Sequence, residues 1–213
     1  MGWRRRTAAG TTTTSTDASV SDEQVVDAIK EILPRDGVFA VTAESVAAAT
    51  GSTPQTIAAT VDLPARIAEA YRSLATAEVA QVRRSILADP SAAAQMRALL
   101  NWLAAPPEES DALRLEVWAL TRRDPALRAA VREHEEAWHG LVSSVIRRGA
   151  RGGDFPQADA DEIAAHLISL VDGANNYELI GYRTQTDRLR LLTRVVRAEL
   201  GLVWGADLEA AVD

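Results

Sequence analysis

No cysteine occurs among the 213 residues, which excludes disulfides, thiolate metal sites and cysteine nucleophiles and fits a reducing, cytoplasmic setting. Aromatic residues make up only 5% of the chain, and Lys30 is the single lysine. No apolar run reaches the roughly 18 residues that a membrane span requires. Arg4, Arg5 and Arg6 stand near the start, but threonine and serine follow them in place of an apolar stretch, so no signal peptide is expected. Positive charge is also in short supply. The formal net charge of -7 argues against broad, non-specific nucleic-acid binding, which needs a positive field. What the chain does have is alanine, leucine and arginine in quantity, a composition that favours helices.

Residues 1–19 carry nothing to bury, and their Thr/Ser/Ala-rich composition predicts a disordered tail. Order is expected from Ser21, which has capping-box spacing to Gln24. Val25, Val26, Ile29, Ile32 and Leu33 then recur at helical spacing, until Pro34 and Asp36-Gly37 are expected to stop the helix. A short helix over Ala43–Thr50 follows, capped by Thr42 and ended by Gly51. Ser52-Thr53 caps a third helix that begins at Pro54, a favoured first-turn residue. Three short helices with a glycine turn between the last two form a helix-turn-helix pattern.

Longer helices are expected from Pro64 to about Ala88, Ser91 to Ala105 and Ser110 to Arg122. A fourth, after Pro125, carries Leu127, Val131, His134, Trp138, Leu141 and Val145 on one stripe. The last two are expected over Ala160–Tyr182 and Asp187–Leu200. No window alternates with period two, so the fold class is all-α, with about nine helices. The expected division is a tail at 1–19, a helix-turn-helix domain at 20–63, a larger helical domain at 64–204 and a tail at 205–213.

Val46-Ala47-Ala48-Ala49-Thr50-Gly51-Ser52-Thr53-Pro54-Gln55-Thr56-Ile57 resembles the turn and third helix of the tetracycline-repressor (TetR) family. The segments Glu116-Val117-Trp118, Arg123 to Arg128, Gly153-Asp154-Phe155 and Leu170-Val171-Asp172-Gly173 are similar to the C-terminal half of that family, so the resemblance spans residues 22–200. It implies a homodimer whose N-terminal modules bind a palindromic DNA operator and whose C-terminal domains hold a small effector and pair through the last two helices. Half-sites would lie about one helical turn, or multiples of it, apart.

The part that resemblance assigns to DNA departs from the family pattern. A tyrosine and, further on, a lysine are usual after the positions of Thr56-Ile57, where this chain has Ala58-Ala59-Thr60-Val61 and Pro64. Over residues 22–72 four cations oppose eight carboxylates, a local net of −4, and the third helix has no cation. DNA contact would therefore fall to Thr42, Thr53 and Thr56 on phosphates, Gln55 on a base edge and Thr60 on a thymine methyl. Helix capping and surface solvation are the plain alternative for the threonines.

Trp102, Trp118 and Trp138 lie on three successive helices and suit an apolar or aromatic effector, oriented by His166, Asn175 or Tyr177; ordinary core packing is the alternative. Leu167, Leu170, Val171, Ala174, Leu192 and Val196 form two stripes that exceed what one small bundle buries, so they are read as a dimer interface. His134 and His139 are five residues apart and face different ways, so no metal site is expected. No cofactor and no catalytic constellation is indicated. Two readings follow: a ligand-responsive regulator, most simply a repressor, or a ligand-binding or interaction module whose DNA binding is weakened or lost.

Overall fold

The computed structural model describes residues 20–103, 105 and 109–202. The two expected tails, with Arg4, Arg5 and Arg6, lie outside them. Among the described residues the chain is all-α, with no strand. Its helices are α1 (Asp22–Asp36), α2 (Ala43–Thr50), α3 (Pro54–Thr60), α4 (Leu63–Leu87), α5 (Ala92–Leu103), α6 (Glu109–Leu120), α7 (Pro125–Gly152), α8 (Ala160–Leu179) and α9 (Gln185–Leu200). A 3-10 turn, Val38–Ala40, joins α1 to α2. No described helix is long and apolar enough to cross a membrane.

Local chemistry sets the boundaries of the first three helices. Ser21 and Gln24 form a reciprocal capping box, with bonds of 3.0 and 3.2 Å. Thr42 and Thr53 cap α2 and α3 by accepting from the Ser45 and Thr56 N–H groups. Pro34 does not stop α1, contrary to expectation; it sits inside the last turn. There its missing N–H removes one bond near a helix end, whereas Gly37, at φ +82°, leaves the helical region and ends the helix. α8 likewise stops at Leu179 and not at Tyr182. Gly181 turns to φ +68°, and the Tyr182 N–H folds back onto the Tyr177 carbonyl at 2.8 Å.

The apolar side chains form two clusters. One gathers α1 to α3 and the start of α4 with Leu113 and Val117 of α6 and Leu127, Ala130 and Val131 of α7. The other joins the far end of α4 to α5, most of α7, α8 and α9, including Trp138, Leu167, Val171, Leu192 and Val196. α4 runs through both. The clusters therefore do not divide at residues 63/64, because α6 and the first turns of α7 pack onto the N-terminal helices.

Candidate functional site

A cavity of about 460 Å³ opens where the two clusters meet. Its wall takes Pro34 from α1, Tyr71, Leu74 and Glu78 from α4, Trp102 from α5, Leu113 and Arg114 from α6, His134 and Trp138 from α7, and Ile168, Val171, Asp172 and Asn175 from α8. The volume lies within the range of small-molecule sites.

One side is aromatic. The rings of Trp102 and Trp138 stack with centroids 4.7 Å apart and an interplanar angle of 30°. Trp138 is buried, while Trp102 is 42% exposed and stands at the mouth. Trp138 Nε1–H donates to His134 Nε2 at 2.9 Å, and Tyr71 Oη lies 3.2 Å from His134 Nδ1. Glu78 Oε2 approaches the same Nε2 at 3.1 Å. Burial raises the Tyr71 phenol well above its ordinary value.

The other side is charged. Arg114 pairs with Asp172 at 2.7 Å and with Glu135 at 3.0 Å, and its guanidinium covers the Trp118 ring at 5.5 Å. Burial works against the Arg114 charge, but Asp172 and Glu135 outweigh it and keep the group firmly protonated. Asp172 is pushed up to about 6, because burial outweighs the attraction of Arg114. Asp172 and Glu135 thus share the Arg114 guanidinium, while Glu78, also in the cavity wall, lies against His134.

The Asp172 shift has a consequence for stability. A carboxyl raised in the folded chain favours folding below its unfolded value near 4, and that contribution is lost as pH rises through about 6. Asp172→Asn removes the titration. Wild type is expected to lose about 2–3 kcal/mol relative to the variant between pH 4 and pH 7. Urea denaturation of both proteins across that range measures the difference; parallel curves would place the charge in water.

The sequence-derived ligand residues divide. Trp102, Trp138 and Asn175 line the cavity. Trp118 lies beside a narrow crevice behind Arg114, with its face already taken by that cation. His166 is exposed and pairs with Glu199, and Tyr177 is exposed against Tyr182; neither is among the lining residues. Glu78, Tyr71, Arg114 and Asp172 were not singled out from the sequence. Their signal was available, since Glu78 falls at seven-residue spacing from Tyr71 on the inward stripe of α4.

Most of the stripe read as a dimer interface lies inside the chain. Leu167, Val171, Ala174, Leu192 and Val196 are buried against their own chain, because α8 packs on α7 and α9 packs on α8 within one apolar cluster. Only Leu170 keeps partial exposure. The apolar surface left outside on these helices is a different one, comprising Tyr177, Leu179, Ile180, Tyr182 and Leu191, and Ile180 is 70% exposed. Gly173 opens onto free space beside it.

The hydroxyls assigned to DNA serve as caps and helix-surface bonds. Thr42 accepts from Ser45, Thr53 bonds Thr56, and Thr60 donates to the Thr56 carbonyl at 2.8 Å. Gln55 is exposed, together with Ala58 and Ala59. The cations of this region are all engaged by carboxylates: Lys30 with Asp27, Arg35 with Asp36, Arg66 with Asp22 and Glu69, and Arg72 with Glu133.

Residues 90–201 match the family of BetI-type transcriptional repressors in its C-terminal domain. No curated protein sequence matches the chain. Among solved structures, a transcriptional regulator from Saccharomonospora viridis in complex with choline is 20% identical, with a TM-score of 0.71 over 84% of this chain and 96% of that one. A TetR transcription regulator from Haloarcula marismortui is 19% identical, with a TM-score of 0.67 over 84% and 97%. The fatty acid degradation regulator FadR from Bacillus halodurans is 16% identical, with a TM-score of 0.58 over 87% and 95%. At these identities the likeness concerns the fold.

Proposed function

Since this chain belongs to the TetR family of transcriptional regulators, with a C-terminal domain of the BetI type, we propose that it is a dimeric, ligand-responsive repressor. It binds a palindromic operator through α2 and α3 and is released when an organic cation enters the cavity. The observation that carries the effector class is that the stack of Trp102 and Trp138 shares the wall of one cavity with the carboxylates of Glu78 and Asp172. Aromatic faces attract a cation by about 0.5–2 kcal/mol each, and a surplus of carboxylate over guanidinium favours the same sign. The choline held by the Saccharomonospora viridis regulator supports this chemistry. Where the tryptophans alone pointed to an apolar or aromatic effector, the charged wall favours a cation with apolar substituents. The apolar corner of α8 and α9 would be covered by a second copy of the chain.

Choline is expected to bind with quenching of tryptophan emission, and Glu78→Gln is expected to weaken it at least about tenfold, or about 1.4 kcal/mol. The neutral isostere 3,3-dimethylbutan-1-ol should bind more weakly than choline to wild type. Equal affinity for the two ligands would sink the cation reading.

A second reading has a specific observation behind it. All four cations of residues 22–72 are engaged by neighbouring carboxylates, which favours a regulator-like protein whose DNA module has weakened or lost its function.

A further inference from the structure

α6 touches both the cavity and the recognition module, on opposite faces. Arg114 lines the cavity and pairs with Asp172 of α8. Two residues on, and so about 200° around the helix and about 3 Å along it, Glu116 points the other way. Its Oε2 accepts from the Val38 N–H at 2.8 Å, across 78 residues of sequence. The same carboxylate lies directly on Gly37, where an added Cβ would meet Oε2 at 2.6 Å. Gly37 ends α1 at φ +82° and opens the 3-10 turn that leads into α2. Pro34, one turn earlier in α1, belongs to the cavity wall itself. The end of α1, the Gly37-Val38 turn and α6 therefore form one joint, with the cavity on one side and the recognition helices on the other.

We propose that Glu116 is the positioning residue through which the state of the cavity reaches the recognition module. Arg114 is the resident cation of the cavity, and an entering organic cation competes with it for Asp172 and Glu135. Any shift of Arg114 moves α6, and Glu116 carries that shift to the one turn that fixes where α2 begins. The coupling requires only that the effector favour one placement of α6 over the other. The competing cation rests on the effector reading above, whereas the joint itself rests on the contacts of Glu116.

Amide hydrogen exchange of the full chain tests the joint, with Val38 compared against Ile29 in the core of the same module. In the ligand-free protein, Asp172→Asn takes away a counter-charge of Arg114 and is expected to change exchange at Val38 at least about fivefold more than at Ile29. An unchanged ratio overturns the proposal, and this arm needs no effector. In the second arm, choline is expected to change exchange at Ser45 and Val46 of α2 in wild type. Glu116→Ala should bind choline within about twofold of wild type yet show less than half of that change. Glu116→Gln, which keeps a carbonyl acceptor for Val38, should restore most of it. An equal choline response in Glu116→Ala also overturns the proposal. If choline fails to bind wild type, the cation reading falls and the ligand-free arm decides the joint alone.

Discussion

Arg188→Ala is expected to destabilise the chain by about 3–5 kcal/mol, the scale of breaking a buried, hydrogen-bonded charge network by removing one partner. Arg188 is 1% exposed and reaches from α9 into the wall of the cavity. Its Nη1 donates to Asn175 Oδ1 at 2.7 Å and to the Leu103 carbonyl at 3.2 Å. Its Nη2 donates to the Ala105 carbonyl at 2.6 Å, and its Nε faces Glu178 at 3.2 Å. The two carbonyls lie at and just past the end of α5, where a helix runs out of internal donors and its dipole favours a cation. Alanine would leave those carbonyls and Glu178 without the guanidinium, in addition to a void the size of the side chain. Against a total stability of about 5–15 kcal/mol, the loss would be a large fraction of the whole. Urea denaturation followed by circular dichroism measures it. A loss below about 1 kcal/mol would mean that water replaces the guanidinium at little cost. Because Asn175 also lines the cavity, a folded variant should bind choline more weakly as well.

How far the sequence could be read depends on the range over which each feature is determined. The bounds of α2 and the start of α3 were legible to the residue, because a threonine cap, a glycine at φ +71° and a first-turn proline act within a few residues of one another. Pro34 misleads because proline's cost depends on where in the helix it falls, and only two residues of α1 follow it. The overrun of α8 has a similar origin: Gly181 turns the chain, but nothing local distinguishes it from a glycine within a helix, such as Gly173.

The site was less legible, since it depends on which faces of six helices meet. Trp102 and Trp138 reach the cavity, but Trp118 on the intervening helix is turned to Arg114 instead. The polar wall residues share an overlooked signal, namely a charged residue on an otherwise apolar stripe. Glu78 interrupts the inward face of α4. Arg188 stands at four-residue spacing from Leu192, Val196 and Leu200, all buried. A charge held at such a position is costly unless it is paired, so each marked a buried network. The dimer stripe raises a different difficulty. Periodicity locates an apolar face without saying whether the same chain or another covers it, and here α7 covers much of it.

Operator binding, if the repressor reading holds, is expected to depend only weakly on salt. Affinity falls with salt in proportion to the phosphates that cations neutralise, with a log-log slope of about −0.9 for each. α3 carries no cation. Lys30, Arg35, Arg66 and Arg72 would each have to leave a carboxylate to reach a phosphate. Exposed pairs of this kind break at a cost of only about 0–1 kcal/mol, but the carboxylates remain beside the DNA and repel it. A dimer with roughly two neutralised phosphates would lose about tenfold in affinity between 50 and 200 mM salt, against a loss of about 10³–10⁵ for a protein making 6–10 such contacts. Fluorescence anisotropy on the region upstream of its own gene, titrated with potassium chloride, gives the slope directly. The complementary experiment adds what is missing. Pro64 is exposed in the first turn of α4, and Pro64→Lys should steepen the dimer's slope by about two and raise affinity most at low salt. Wild type that binds with a steep slope would show that its paired arginines release their carboxylates on the operator. A Pro64→Lys variant that gains nothing would mean that this turn does not face the phosphates, and so that α3 does not dock as the family resemblance implies.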